Sequence, residues 1–239
     1  MNPTPTIGRR FVPLAAVLMV AALVVALITM ASNSRAAAAD AARDSHAQTQ
    51  GHVDLRAPHT QAQIAFHDQM RKLWEDHVTW TRLAIVTFAD GSAGFDATAT
   101  RLLQNQTDIG NAIKPFYGEA AGNALTALLR DHITIAVELL QAAKAGDTGA
   151  FEDAKTRWYA NANDIADFLA AANPLSWPRD VMRAAMKTHL DQTLAEAAHE
   201  LGGDYAASVA DYEEIHLHIL DMADLLSSGI IRQFPGKFH

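Results

Sequence analysis

From Thr60 onward, apolar residues recur at steps of three and four, the spacing of one face of an α-helix, and no stretch alternates as a half-buried strand would. Breaker residues cut this pattern into six predicted helices, at about 61–89, 96–114, 119–145, 148–172, 178–202 and 204–228. The first ends in Asp90-Gly91, the second at Pro115, the third at Gly146, the fourth at Asn173-Pro174 and the fifth at Gly202-Gly203. Trp177-Pro178 opens the fifth, where proline suits a first helical turn, and the sixth extends towards Phe234-Pro235.

The helices group into a repeat. Residues 128–170 align without a gap on residues 185–227, with eight identities that fall mostly on turn and polar positions. His132 falls on His189, Gly146-Asp147 on Gly203-Asp204, Ala150 on Ala207, and Asp164-x-Ala166-Asp167-x-Leu169 on Asp221-x-Ala223-Asp224-x-Leu226. A looser upstream copy places His77 on His132 and Gly91 on Gly146, then Asn105, Asp108 and Ile109 on Asn161, Asp164 and Ile165. The expected fold is all-α: an up-and-down bundle of about six helices built from three helical hairpins, at about 61–115, 116–173 and 178–234. A single amphipathic hairpin cannot bury its own apolar stripe, so the copies must pack on one another.

The first helix of each hairpin carries its His inside the apolar seam: Trp74, His77, Thr81, Ala84, Phe88; Leu129, His132, Ala136, Leu139, Ala143; Met186, His189, Thr193, Glu196, Glu200. All three imidazoles are therefore expected to be buried. Each lies 14 residues before its turn glycine, and Asp108, Asp164 and Asp221 lie 17 or 18 residues after it. Along antiparallel helices these distances put His and Asp at one level, about 21–25 Å from the turn. Three arrangements follow: each His pairs with its own Asp and only satisfies its ring N–H; the Asp, which flank their seams beside Ile109, Ile165 and Met222, simply face water; or the three His converge as a ligand or metal site. Glu196 breaks the pattern, standing where the other seams have Ala84 and Leu139. A carboxylate there needs a partner or a cavity, unless the third hairpin is less buried, as Glu200 on the same stripe would suit.

Upstream, residues 11–30 are uncharged and mostly apolar, long enough to span a bilayer as a helix, and Arg9-Arg10 precede them. They read as a membrane anchor or a signal segment, and Ala36–Ala39 would supply a small-residue cleavage site. Either way the body is expected to be extracytoplasmic, with the N-terminus cytoplasmic if the segment is retained. Residues 31–60 are polar, lack aromatics and read as a disordered tether; His46, His52 and His59 lie in it.

Composition narrows the chemistry. The chain has no cysteine, so any metal site must draw on His, Asp, Glu or Met, and zinc or copper would suit such ligands. From residue 61 onward there are 14 Lys and Arg against 24 Asp and Glu, which argues against nucleic acid as a partner. Met182, Met186 and His189 share one face of the fifth helix, and His216, His218 and Met222 lie on the sixth, a set that suits copper but also ordinary core filling. Trp74, Trp80, Trp158 and Trp177 would line an organic-ligand pocket or simply pack the core. There is no phosphate-cradling glycine loop, nucleophile elbow or His-Glu-x-x-His motif.

The strings LWEDHVTWTR at 73–82, LLQNQTDIGNAIKPFYGEAAG at 102–122, WYANANDIADFLAAANP at 158–174 and MADLLSSGIIRQFPGKF at 222–238 resemble a family of small exported bacterial all-helical proteins. The resemblance covers essentially the whole body and implies a helical module behind an export segment. Glycosyltransferase or kinase-like labels are sometimes attached to such sequences, but those activities need an α/β architecture or a phosphate loop that the pattern here lacks. The expected function is non-enzymatic binding of a small ligand or metal ion through His77, His132 and His189, with Glu196, Asp108, Asp164, Asp221 and His218 as further candidates. The alternatives are a structural or protein-interaction module and, third, a metal-dependent enzyme. Beyond the membrane contact of a retained N-terminal segment, the sequence names no partner.

Overall fold

The computed structural model describes residues 60–239; the apolar segment at 11–30 and the tether with His46, His52 and His59 lie outside the described residues. Within them the protein is all-α, with helices α1 (Gln61–Ala89), α2 (Phe95–Ala145), α3 (Thr148–Ala172), α4 (Arg179–Gly202) and α5 (Tyr205–Gln233), then a 3₁₀ turn at Pro235–Lys237. None of these helices is long and apolar enough to cross a membrane.

Two of the six predicted helices lie within α2, which is broken at Gly118 rather than at Pro115. Proline costs one N–H and a clash with the preceding turn, but the chain stays helical past it as far as Tyr117. Gly118, at φ 85° and ψ 169°, then adopts a conformation essentially reserved for glycine. There the chain doubles back. A Cβ on Gly110 would stand only 2.6 Å from the carbonyl oxygen of Gly122, whereas in a straight helix those residues would be about 18 Å apart. The arms 95–117 and 119–145 therefore lie against each other, and Arg130 Nη1 donates across them to the Leu103 carbonyl at 3.1 Å.

The repeated turn residues have repeated jobs. Gly146 and Gly203 end α2 and α4 in the left-handed conformation, at φ 70° and 76°. Asp147 and Asp204 follow as N-caps, accepting from the backbone N–H of Ala150 at 3.0 Å and of Ala207 at 3.2 Å. A capping box between Thr60 and Gln63 starts α1.

Successive helices pack side by side, and α5 packs back on α1, closing the bundle into a ring. Arg71 bonds Asp224 at 2.7 Å between α1 and α5, and Arg183 bonds Asp167 at 2.7 Å between α4 and α3. Both arginines precede their His by six residues, and both aspartates belong to the repeat. The core is continuous: Phe151, Ile165, Met182, Leu190 and Ile219 are all fully buried, each contributing about 1.5–3 kcal/mol of transfer free energy. Met182 and Met186 are core residues here.

Candidate functional site

The helices that carry the three His all end in a turn glycine at the same end of the ring, so the common 14-residue spacing sets the imidazoles at one level. His77 of α1, His132 of the second arm of α2 and His189 of α4 converge there on one cavity of about 50 Å³. Its other walls are almost wholly apolar, including Ala84, Ile85, Leu102, Ile133 and Leu139. The rings of His77 and His189 are 5.6 Å apart, His132 stacks on Trp158 at 5.2 Å, and Trp74 meets His77 edge-on at 5.9 Å. Trp158 thus lines the cavity, while Trp74 and Trp177 are buried in the core.

None of His77, His132 and His189 pairs with the Asp of its own hairpin. Asp108 takes hydrogen bonds from Gln104 at 3.0 Å and Arg101 at 3.4 Å, and Asp164 and Asp221 are exposed. These aspartates flank the seam rather than occupy it, so helix rotation turns them outward. Amides take their place. Asn161 accepts the Nδ1–H of His132 at 2.8 Å, and Gln106 Nε2 lies 3.3 Å from Nδ1 of His77.

A second set of bonds holds these amides in orientation. Asn105 Nδ2 donates to the Leu73 carbonyl at 3.0 Å and Asn161 Nδ2 to the Leu128 carbonyl at 3.1 Å. In the third hairpin His218 takes the equivalent position, and its Nε2–H donates to the Ala185 carbonyl at 2.9 Å. Each accepting residue lies four before its His. The substitution leaves a gap in the pattern, because His189 Nδ1 is buried without a partner. Thr81 and Thr193 on the cavity wall donate back to the carbonyls of His77 and His189.

Burial holds all three imidazoles neutral. It lowers His77 from the usual 6.5 to about 3, with a further push from His132, and it lowers His132 to about 4 against the raising effect of its bond to Asn161. Burial also takes His189 well below 6.5, aided by His77, His218 and His132, and lowers the half-buried His218. Neutral imidazoles present ligand lone pairs, yet among the described residues no three His, Asp or Glu side chains stand close enough to hold a metal ion.

Glu196 belongs to a different constellation, one turn beyond Thr193 on α4. It is 1 % exposed and Glu200 6 %, so the third hairpin is not less buried than the others. Arg82 of α1 answers it, donating to Glu196 Oε1 at 2.7 Å and to the Ser208 hydroxyl at 3.1 Å, which in turn donates to Glu200 at 2.6 Å. His199 bonds the buried Asp211 at 2.5 Å, and the Arg82 guanidinium lies 5.2 Å from the centre of the Tyr212 ring. Three carboxyl groups thus face one guanidinium and one imidazole. Burial raises Glu196 to about 7 despite Arg82.

Sequence reasoning passed over Asn105, Gln106, Asn161 and Arg82. The signal for the two asparagines was present, since they recur at one offset from the His; the signal for Arg82 was the unanswered charge of Glu196. Fold and site together define an all-α bundle with an internal, histidine-walled cavity. No family model, curated protein or solved structure matches the chain.

Proposed function

We propose that the protein is an extracytoplasmic, non-enzymatic binding protein that takes a small ligand into the cavity between His77, His132 and His189. One observation carries this reading. Three neutral imidazoles from three hairpins meet on an otherwise apolar cavity, and their Nε2 edges take no hydrogen bond from the described residues. A bundle that needed these residues only for packing would gain more from apolar side chains at the same seam positions, since burying imidazole costs solvation. The cavity, at about 50 Å³, has room for a molecule of a few heavy atoms, on the scale of about 10–15 Å³ for one water.

Zinc or copper is less well supported, because no three-ligand cluster stands among the described residues. Extracytoplasmic placement rests on the sequence of residues 9–30. The test is thermal melting of the full chain with 2-propanol, isobutane, xenon, Zn²⁺ and Cu⁺, alongside Ala136→Phe, which fills the cavity and keeps every His. A rise in melting temperature that Ala136→Phe abolishes is the expected result. No rise with any of the five overturns the reading.

A further inference from the structure

The amides around the cavity decide where each imidazole carries its proton, and so what the cavity offers a ligand. Asn161 is fixed by its Nδ2 bond to the Leu128 carbonyl, so the atom facing His132 is an oxygen. His132 must donate from Nδ1, which leaves Nε2 as an acceptor. Gln106 is fixed the opposite way. Its Nε2 donates to the Leu102 carbonyl at 2.8 Å and to Asn105 Oδ1 at 3.2 Å, so the group facing His77 Nδ1 is an amino group. A proton on Nδ1 would point into it; His77 therefore carries its proton on Nε2 as a donor. His189 Nδ1 has no partner, and a buried N–H without an acceptor is worse tolerated than a bare lone pair, so its proton also sits on Nε2.

The Nε2 atoms border the cavity: they have no bond from the protein, yet unlike His189 Nδ1 they are not sealed from it. The cavity thus presents one acceptor, at His132, and two donors, at His77 and His189. A hydroxyl group has the complementary set, one O–H and two lone pairs. A carbonyl leaves the His132 lone pair unanswered, an ammonium meets two opposing N–H groups, and a carboxylate faces a lone pair with no cation beside it. A metal ion finds only one free Nε2 lone pair.

Deepening the binding role proposed above, and resting on it, we infer that the ligand is a compact uncharged molecule with a hydroxyl on a small apolar body, a short-chain alcohol on the scale of the cavity, its oxygen held among the Nε2 atoms of His77, His132 and His189. The walls of Ile85, Leu102, Ile133 and Leu139 take the apolar body.

The test uses the full chain, with 2-propanol and isobutane, which differ by a hydroxyl in place of a methyl, as matched probes and ¹⁵N spectra of the imidazoles as readout. 2-Propanol is expected to bind about tenfold or more tighter than isobutane, the return on satisfied buried hydrogen bonds. The unprotonated Nε2 of His132 shifts on adding 2-propanol, while His77 stays protonated on Nε2. Asn161→Leu, which frees the His132 tautomer, brings 2-propanol affinity down towards that of isobutane. If that variant fails to fold, the wild-type spectra decide. Equal affinity for both probes, or His132 protonated on Nε2 in the wild type, overturns the hydroxyl assignment and leaves the binding cavity standing. Binding of neither probe, with xenon, Zn²⁺ and Cu⁺ equally silent, overturns both.

Discussion

His218 stands in the third hairpin where Asn161 stands in the second, and it repeats only half of what Asn161 does. Both donate to a backbone carbonyl four residues before a cavity histidine, but only Asn161 also accepts from that histidine. His218→Asn is expected to supply His189 with its missing partner and raise stability by about 1 kcal/mol. Asn161→Ala, which strips His132 and the Leu128 carbonyl together, is expected to cost about 1–3 kcal/mol. Urea denaturation of both variants beside the wild type checks the pair.

Arg82 and Glu196 form a largely enclosed ion pair, so the two single changes should be unequal to the double. Arg82→Met leaves the buried Glu196 carboxyl, and the Ser208 hydroxyl beside it, without their guanidinium and is expected to cost about 3–5 kcal/mol. Adding Glu196→Leu, the residue that Leu139 provides at the equivalent seam position, should recover much of that loss. A double-mutant cycle in urea measures it, and simple additivity would rule the account out.

Acid and base act on the interior with opposite signs. The buried imidazoles titrate below the usual 6.5, to about 3 for His77 and about 4 for His132, so on acidification the unfolded chain takes up protons that the folded chain refuses. Stability from this source is complete above 6.5 and is lost as pH falls through the window down to those values. Glu196, raised from 4.5 to about 7, works the other way: the folded chain keeps a proton that the unfolded chain has released, so stability falls as pH rises across that window. Where the windows overlap, three imidazoles outweigh one carboxyl, and stability should rise with pH. Glu196→Gln should steepen that rise, as read from unfolding midpoints across the overlap.

Two glycines should respond oppositely to alanine. Gly118 has open space around its Cβ position but a backbone that alanine rarely adopts, so Gly118→Ala is expected to cost about 1–3 kcal/mol through strain alone. Gly149, inside α3 with only an ordinary contact to Asp147, should gain about 0.4–1 kcal/mol. Thermal melting of the two variants distinguishes these effects from crowding.

Most of the bundle was legible because its determinants are local. Gly146, Gly203, Asp147 and Asp204 act within a few residues of themselves, and α1, α3 and α4 begin and end close to their breakers. The common height of the His was legible too, since an equal distance from equivalent turns fixes it, whereas their convergence on one cavity was one of several arrangements the spacing allowed. What escaped depends on rotation about the helix axis. A shift of two or three positions separates Asp108 from Gln106 and Asp164 from Asn161, and that difference decides which side chain faces inward. Helical spacing gives height to within a turn, whereas a hydrogen-bond partner needs the angle as well. Pro115 misled for a related reason: it weakens a helix, but the reversal required the φ of Gly118.

Thr60, at the head of α1, donates its hydroxyl to the carbonyl of Phe238 at 3.1 Å, and Phe238 packs on Phe66 and Phe116. The chain leaves the ring where it entered it, so the order in which the hairpins are strung matters less than their neighbours. A permuted chain, joined by a short linker from His239 to Thr60 and opened at the Gly146-Asp147 turn, would keep every helix contact and the whole cavity, at the cost of one turn. Each hairpin would be equally first, middle or last, and the cavity would belong to the circle rather than to any one repeat.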